Sequence, residues 1–230
     1  MTGQPNRSLD SLCATPDLAA LRNVFEQVDA HSCPHRYNFH MHTICSDGRL
    51  EPAELIRQAV DIGLADMAIT DHHSIQGYLL AVPLLAQYDM AVQPRLWVGT
   101  EITAYIGNVD VHILGYGFDP EHPQLAPYLQ GHEADRDFTV VEKVIAAIQV
   151  AGGLAVLAHP SRYRRSAEEI VEVVAELGID GLETFYAYKN TVPWAPTPSE
   201  TKRVQELAKR HGLFSTCGTD THGISLRIRR

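Results

Sequence analysis

Short apolar runs of strand length alternate along the chain with stretches of helical periodicity, the pattern of parallel strands joined by helices. Thr15 offers an N-cap and Pro16 a first helical position, and Leu18, Leu21, Phe25 and Val28 share one face, so the pattern predicts a helix over 16–29. Residues 37–43 read as the first strand, followed by a Ser46-Asp47-Gly48 turn and a helix opened by Pro52, with Leu55, Ile56 and Val60 inward. A strand at 65–70, a helix over about 75–88 and a strand at 95–104 come next. The alternating Val109, Val111 and Ile113, after a Gly107-Asn108 turn, predict an antiparallel partner for that strand. Beyond a polar segment at 121–136, Phe138, Val141, Val144, Ile145 and Ile148 build a helix face that ends at Gly152-Gly153. Residues 154–158 form a buried-strand run, and Ser166 with Glu169 makes a capping box for a helix to about 177. A strand at 179–185, a helix at 199–211 and a strand at 213–218 complete the order. About seven β/α units result, enough to close one barrel. The expected fold is therefore α/β, a distorted (βα)7 barrel in a single domain over 37–230, preceded by an N-terminal extension, 1–36, that carries one helix.

Composition narrows the chemistry. The chain has 230 residues, 45% hydrophobic and 20% charged, which supplies a packed interior and excludes wholesale disorder. A formal charge of -9 argues against a surface built to hold long duplex nucleic acid by neutralising phosphates. No apolar run approaches the ~20 residues that span a bilayer, and the start has no basic stretch followed by an apolar one. A cytoplasmic protein without a membrane partner is the expectation. Cys13, Cys33, Cys45 and Cys217 lack CxxC spacing, so neither a disulfide frame nor a thiolate zinc site is expected.

The unusual feature is 12 histidines. In a β/α barrel, chemistry collects at the C-terminal ends of the strands. His40 and His42 are two apart on the first strand and project to one face. Asp47 follows in the first loop, His72 ends the second strand, Glu101 lies on the third and His112 on its partner. His159 ends the LAVLAHP run, and Asp220 and His222 end the last strand. Any one of these alone reads as a hydrogen-bonded core histidine or a turn former. Together, six imidazoles and three carboxylates buried without an ion would cost several kcal/mol per desolvated group, and they are a ligand set for Zn, Mn or Fe. A multinuclear metal site is the economical reading. Asp71 reads as a carboxylate that holds an imidazole rather than a ligand, and His73 as facing solvent.

The ordered motifs NFHMHT-x-x-SDG, AITDHH, GTEI, HILGYG, LAHP and GTDTHG resemble the polymerase-and-histidinol-phosphatase (PHP) superfamily over about residues 37–223. The resemblance implies a distorted seven-stranded β/α barrel with three divalent ions (Mn, Zn or Fe) at its mouth. Carried over motif by motif, His40, His42, Glu101 and Asp220 hold one ion, and Glu101, His112 and His159 a second. Glu101 bridges these two, and Asp47, His72 and His222 hold the third. Only 46 residues separate His112 from His159, so any cap over the site is small.

The resemblance and the ligand charge lead to a functional expectation. Three divalent ions outweigh three carboxylates and make a positive pocket suited to phosphate. The expected activity is metal-dependent hydrolysis of a small phosphomonoester by attack of a metal-bridging hydroxide. The expected substrate is a nucleotide, nucleoside bisphosphate or short oligonucleotide. Glu101 is the central catalytic residue, His73 a candidate proton donor to the leaving oxygen, and Arg162 a candidate phosphate clamp, with Arg164 and Arg165 beside it. Tyr186, Tyr188 and Lys189 are candidates for stacking on a base or holding a second phosphate, and Trp194 is expected to anchor a lid. The alternatives are a histidinol-phosphatase-like enzyme, an amidohydrolase-like C–N hydrolase and a non-catalytic metal-binding accessory module. An amidohydrolase that bridges its metals through a carboxylated lysine needs a lysine at a middle strand end, and none is read there.

Overall fold

The computed structural model describes residues 17–89, 91 and 93–230. Among these residues seven strands pair in chain order: β1 (Tyr37–Asn38), β2 (Asp66–Ile69), β3 (Arg95–Ile106), β4 (Val109–Tyr116), β5 (Leu154–Leu157), β6 (Gly181–Phe185) and β7 (Phe214–Cys217). All pairs are parallel except β3 with β4 and β4 with β5. Past its regular ladder the sheet closes on itself: Phe39 N donates to Cys217 O (3.0 Å), Asp220 N to His40 O (2.8 Å) and His42 N to Thr221 O (3.1 Å). The result is the nearly closed, distorted barrel expected.

Six α-helices lie among the described residues: α1 (Leu18–Phe25), α2 (Pro52–Ile62), α3 (Gln76–Leu85), α4 (Val141–Val150), α5 (Ala167–Glu176) and α6 (Pro198–His211). The strand-to-helix count departs from seven full units because β3 and β4 form a hairpin with no helix between them. The capping box at α5 is present, Ser166 Oγ accepting from Glu169 N while the Glu169 side chain reaches back to the cap. The expected caps Thr15 and Pro16, like Cys13, lie outside the described residues, and Asp17 caps α1 by accepting from Ala20 N (3.0 Å).

Two boundaries moved. The first strand is regular only at Tyr37–Asn38 and continues as single bridges at Met41 and Thr43, because the segment it faces carries Asp220 at φ 51, which interrupts a ladder. Helix α4 starts at Val141 rather than Phe138: Tyr105 N donates to Thr139 O (2.7 Å) and Val140 bridges Tyr105, so the chain is held on the hairpin edge until then. Phe138 is left exposed.

Alternation along the strands divides the core. Phe39, Ala68, Trp97, Leu114, Tyr116, Val156, Phe185 and Cys217 fill the barrel interior, and Leu21 and Phe25 of α1 pack into the same cluster. Phe25 stacks edge-on against Phe39 and Tyr116 at 5.1 and 5.6 Å, so α1 plugs the end of the barrel away from the site. Residues of opposite parity, such as Ile102, Val111, Ile113, Leu157 and Leu182, pack outward against α4, α5 and α6. Trp194 is buried in the interior cluster and fixes the 186–197 connection to the barrel.

Candidate metal centre

Strand parity carries part of the site to the mouth. Glu101 shares the inward face of β3 with Trp97, and Asp110 and His112 share that of β4 with Leu114 and Tyr116. Three other positions are aimed by backbone strain. His159 would point outward after the inward Ala158, but it adopts φ 29, and Asp220 and His73 adopt φ 51. A side chain in this region costs of order 1–3 kcal/mol and persists only where the surroundings enforce it.

Glu101 is 1% exposed and is surrounded by imidazoles. Its Oε2 lies 3.0 Å from His40 Nε2, 3.1 Å from His42 Nε2 and 3.5 Å from His72 Nε2. Its Oε1 lies 2.7 Å from His112 Nδ1 and 3.4 Å from His159 Nε2. Asp220 Oδ1 lies 3.3 Å from His42 Nε2 and 3.5 Å from His40 Nε2. On the open side, Asp47 Oδ2 meets His222 Nε2 at 3.1 Å, and Asp47 Oδ1 lies 3.7 Å from His42 Nδ1 and 3.8 Å from His72 Nε2.

Three sets of donors fall within ion-binding reach, the atoms of each within 4.8 Å of one another: His40, His42, Glu101 and Asp220; His72, Glu101 and His112; and His42, Asp47, His72 and His222. All nine residues expected from the sequence converge, with two differences in grouping. His72 joins Glu101 and His112 where His159 was expected, and His42 faces both the Glu101 set and the Asp47 set. The donor set fits divalent ions. Both ring nitrogens of His42 are buried without a hydrogen bond, a cost that a bound cation removes.

The electrostatics follow from packing. Burial alone would raise the Glu101 carboxyl, but His40 and His112 hold it well below its ordinary value. Asp220 is likewise held low by His40 and His42 against its own burial. Burial pushes His72 down to about 4, whereas for His42 the adjacent carboxylates of Asp220 and Glu101 overcome burial and carry it up to about 9.

A second layer was not legible in the residue pattern. Glu183, fully buried on β6, accepts from His40 Nδ1 through Oε1 (2.9 Å) and from His159 N through Oε2 (2.8 Å), which turns His40 Nε2 toward the donor cluster. Its inward parity with Phe185 was the available signal. Asp71 holds no imidazole: it accepts from Thr43 N, Thr43 Oγ1 and Ser46 Oγ, each at 2.7 Å, and braces the loop that carries Asp47. His73 does not face solvent; it is 6% exposed, with Nε2 3.1 Å from Thr103 Oγ1.

Tyr186 is buried and donates to Asp220 Oδ2 (2.6 Å), so it offers no ring to a base. Tyr188 accepts from Ser161 N through its phenol oxygen (3.1 Å). Arg162 points NH1 at Tyr186 OH (2.7 Å) and Asp220 Oδ2 (3.1 Å) while still lining the mouth.

The mouth opens into a cavity of about 420 Å³ lined by Asp47, His72, Glu101, His112, His159, Asp220 and His222 together with Arg162, Arg164, Arg229 and Arg230. Residues 38–125 match the model of the PHP domain. Over that stretch the chain resembles PHP-domain proteins. Its relatives include the 5'-3' exoribonuclease Rnm of Salmonella typhimurium, 24% identical, with 81% of this chain and 85% of the relative aligned. The 3',5'-nucleoside bisphosphate phosphatase of Chromobacterium violaceum is also 24% identical, with 80% of this chain and 86% of the relative aligned. Among solved structures, a Bifidobacterium adolescentis protein assigned as a metal-dependent phosphoesterase superposes with a TM-score of 0.67 at 24% identity, covering 83% of this chain and 88% of that one. The barrel thus shares its fold with that protein.

Proposed function

We propose that this protein is a metal-dependent phosphoesterase of the PHP type, acting on a small phosphorylated substrate: a nucleotide, a nucleoside bisphosphate or the end of a short oligonucleotide. The observation that carries the reading is the division of Glu101, with Oε2 toward His40, His42 and His72 and Oε1 toward His112 and His159. A carboxylate so placed is suited to joining two ions. Divalent ions at such a site activate water and offset the charge that develops on a phosphoryl group.

The chain's own residues complete the case. His40, His42, Asp47, His72, Glu101, His112, His159, Asp220 and His222 would hold three ions, of Mn, Zn or Fe type, since N/O donor sets accept each of these. Arg164 and Arg230 line the cavity with no ion pair or hydrogen bond among the described residues, and guanidinium forks match phosphate oxygens. A basic rim beside a cation cluster favours a substrate with more than one anionic group, as the names of the two curated relatives also imply. Arg162 can still offer its remaining donors to a phosphate. No lysine lines the cavity among the described residues, which weighs against bridging by a carboxylated lysine.

The test is a substrate screen with Mn²⁺, Zn²⁺ or Fe²⁺ against p-nitrophenyl phosphate, nucleoside 3',5'-bisphosphates, 5'-phosphorylated short RNA, histidinol phosphate and simple amides. Phosphate or nucleotide release that EDTA abolishes is the expected result. Amide turnover alone, or no turnover by fully loaded protein, overturns the reading.

A further inference from the structure

Asp220 is bonded unevenly. Its Oδ2 accepts from Tyr186 OH (2.6 Å), Arg229 Nε (2.7 Å) and Arg162 NH1 (3.1 Å). Its Oδ1 receives none of these donors and faces only imidazoles, lying 3.3 Å from His42 Nε2, 3.3 Å from His222 Nδ1 and 3.5 Å from His40 Nε2. Three donors exceed the two in-plane lone-pair directions of one carboxylate oxygen, so Oδ2 has no direction left to offer a cation.

The source of these donors is built into the fold. Arg229 is 8% exposed between a half-buried Ile228 and an exposed Arg230, and Tyr186 is 1% exposed. The segment that delivers Arg229 is anchored: Leu226 is fully buried against α2 and its N donates to Gln58 Oε1 (2.9 Å). The same segment grips the loop that carries Asp220 and His222. Thr221 Oγ1 donates to Ile228 O (3.0 Å) and His222 N to Arg229 O (2.7 Å). Asp220 itself sits at φ 51, a conformation that needs such external support.

We propose that Arg229 and Tyr186 are positioning residues that pin Oδ2 of Asp220 and commit this carboxylate to hold an ion through Oδ1 alone. The inference rests on the metal-centre reading above. Without the pin, the carboxylate is free to rotate or chelate through both oxygens, and the geometry of the His40–His42–Glu101–Asp220 set loosens. Loss of an outer partner of a metal ligand typically lowers affinity about 10- to 100-fold.

The experiment uses the full chain, stripped with EDTA and titrated calorimetrically with Mn²⁺ alone, with metal content measured after dialysis and thermal unfolding recorded without metal. Arg229→Met keeps the apolar stem and the backbone contact to His222 but removes the guanidinium. Expected are one Mn²⁺ site weakened about 10- to 100-fold, a metal-free melting temperature close to that of the parent, partial rescue in Arg229→Lys and a shift in the same direction in Tyr186→Phe. If Arg229→Met does not fold, Tyr186→Phe decides, since only a hydroxyl is lost. Parental affinity in the folded variants, or lowered metal-free stability with affinity unchanged, overturns the positioning role and leaves the metal centre standing. A parent protein that binds no Mn²⁺, Zn²⁺ or Fe²⁺ refutes both.

Discussion

Glu101 shows how residue type, face and burial combine at a single position. Its carboxylate is 1% exposed and within 3.5 Å of five imidazoles, so neither its charge nor its shape has a substitute nearby. Glu101→Gln keeps the volume, halves the acceptor capacity and removes the charge that the cations require. Turnover should fall by about two orders of magnitude or more, with loss of bound metal by elemental analysis; full activity with normal metal content would exclude a shared carboxylate. Most of the residue scale was legible beforehand because imidazole and carboxylate at strand ends admit few explanations. Glu183 and Arg229 were not. A glutamate inside a strand and an arginine in an irregular segment look like ordinary surface residues until folding buries them.

At the scale of elements, the site depends on how closely β7 approaches β1. A Cβ on Gly218 would sit 2.1 Å from His40 Cβ and 2.8 Å from His40 N, so there is no room for any side chain. Gly218→Ala must push the strands apart exactly where His40 leaves β1, and overpacking of this kind costs about 1–3 kcal/mol. Its melting temperature and its metal affinity should fall together; a drop in stability with metal binding intact would mean that the closure does not position His40. The capping box of α5 gives the opposite case. Ser166→Ala removes one helix cap worth about 1 kcal/mol, or roughly 2–4 °C in a chain of this size, on the outside of the barrel. Catalytic constants should stay at the parental level, and a large activity loss would show that α5 bears on the site. The cap was readable because its partners are three residues apart; the Gly218 contact was not, since it joins residues far apart in sequence.

The whole molecule couples the ions to stability. In metal-free protein His42 is carried up to about 9, so its stabilising pairing is complete below about pH 6.5 and is lost as pH rises through 9. His72 is held down to about 4 by burial; between about pH 6.5 and 4 the unfolded chain takes up a proton that the folded one refuses, and stability falls as pH drops. The melting temperature of EDTA-treated protein should therefore peak near neutrality. Saturating Mn²⁺ should remove the alkaline decline, because ions bind the neutral imidazole. Metal-free stability that climbs steadily from pH 6.5 to 9 would contradict the His42 pairing.

No helix among the described residues is long and apolar enough to cross a membrane. The sequence by itself determined the order of strands and helices, the nine residues that converge and the hairpin that replaces one helix, because periodicity, turn chemistry and ligand type are local properties. Only the tertiary structure decided which imidazoles share which oxygen of Glu101, that His159 and Asp220 reach the mouth through left-handed backbone, and that Glu183, Tyr186 and Arg229 brace them. Those facts depend on tertiary contacts, such as Tyr186 with Asp220, 34 positions apart, and His40 with Glu183, 143 apart, which no local pattern encodes.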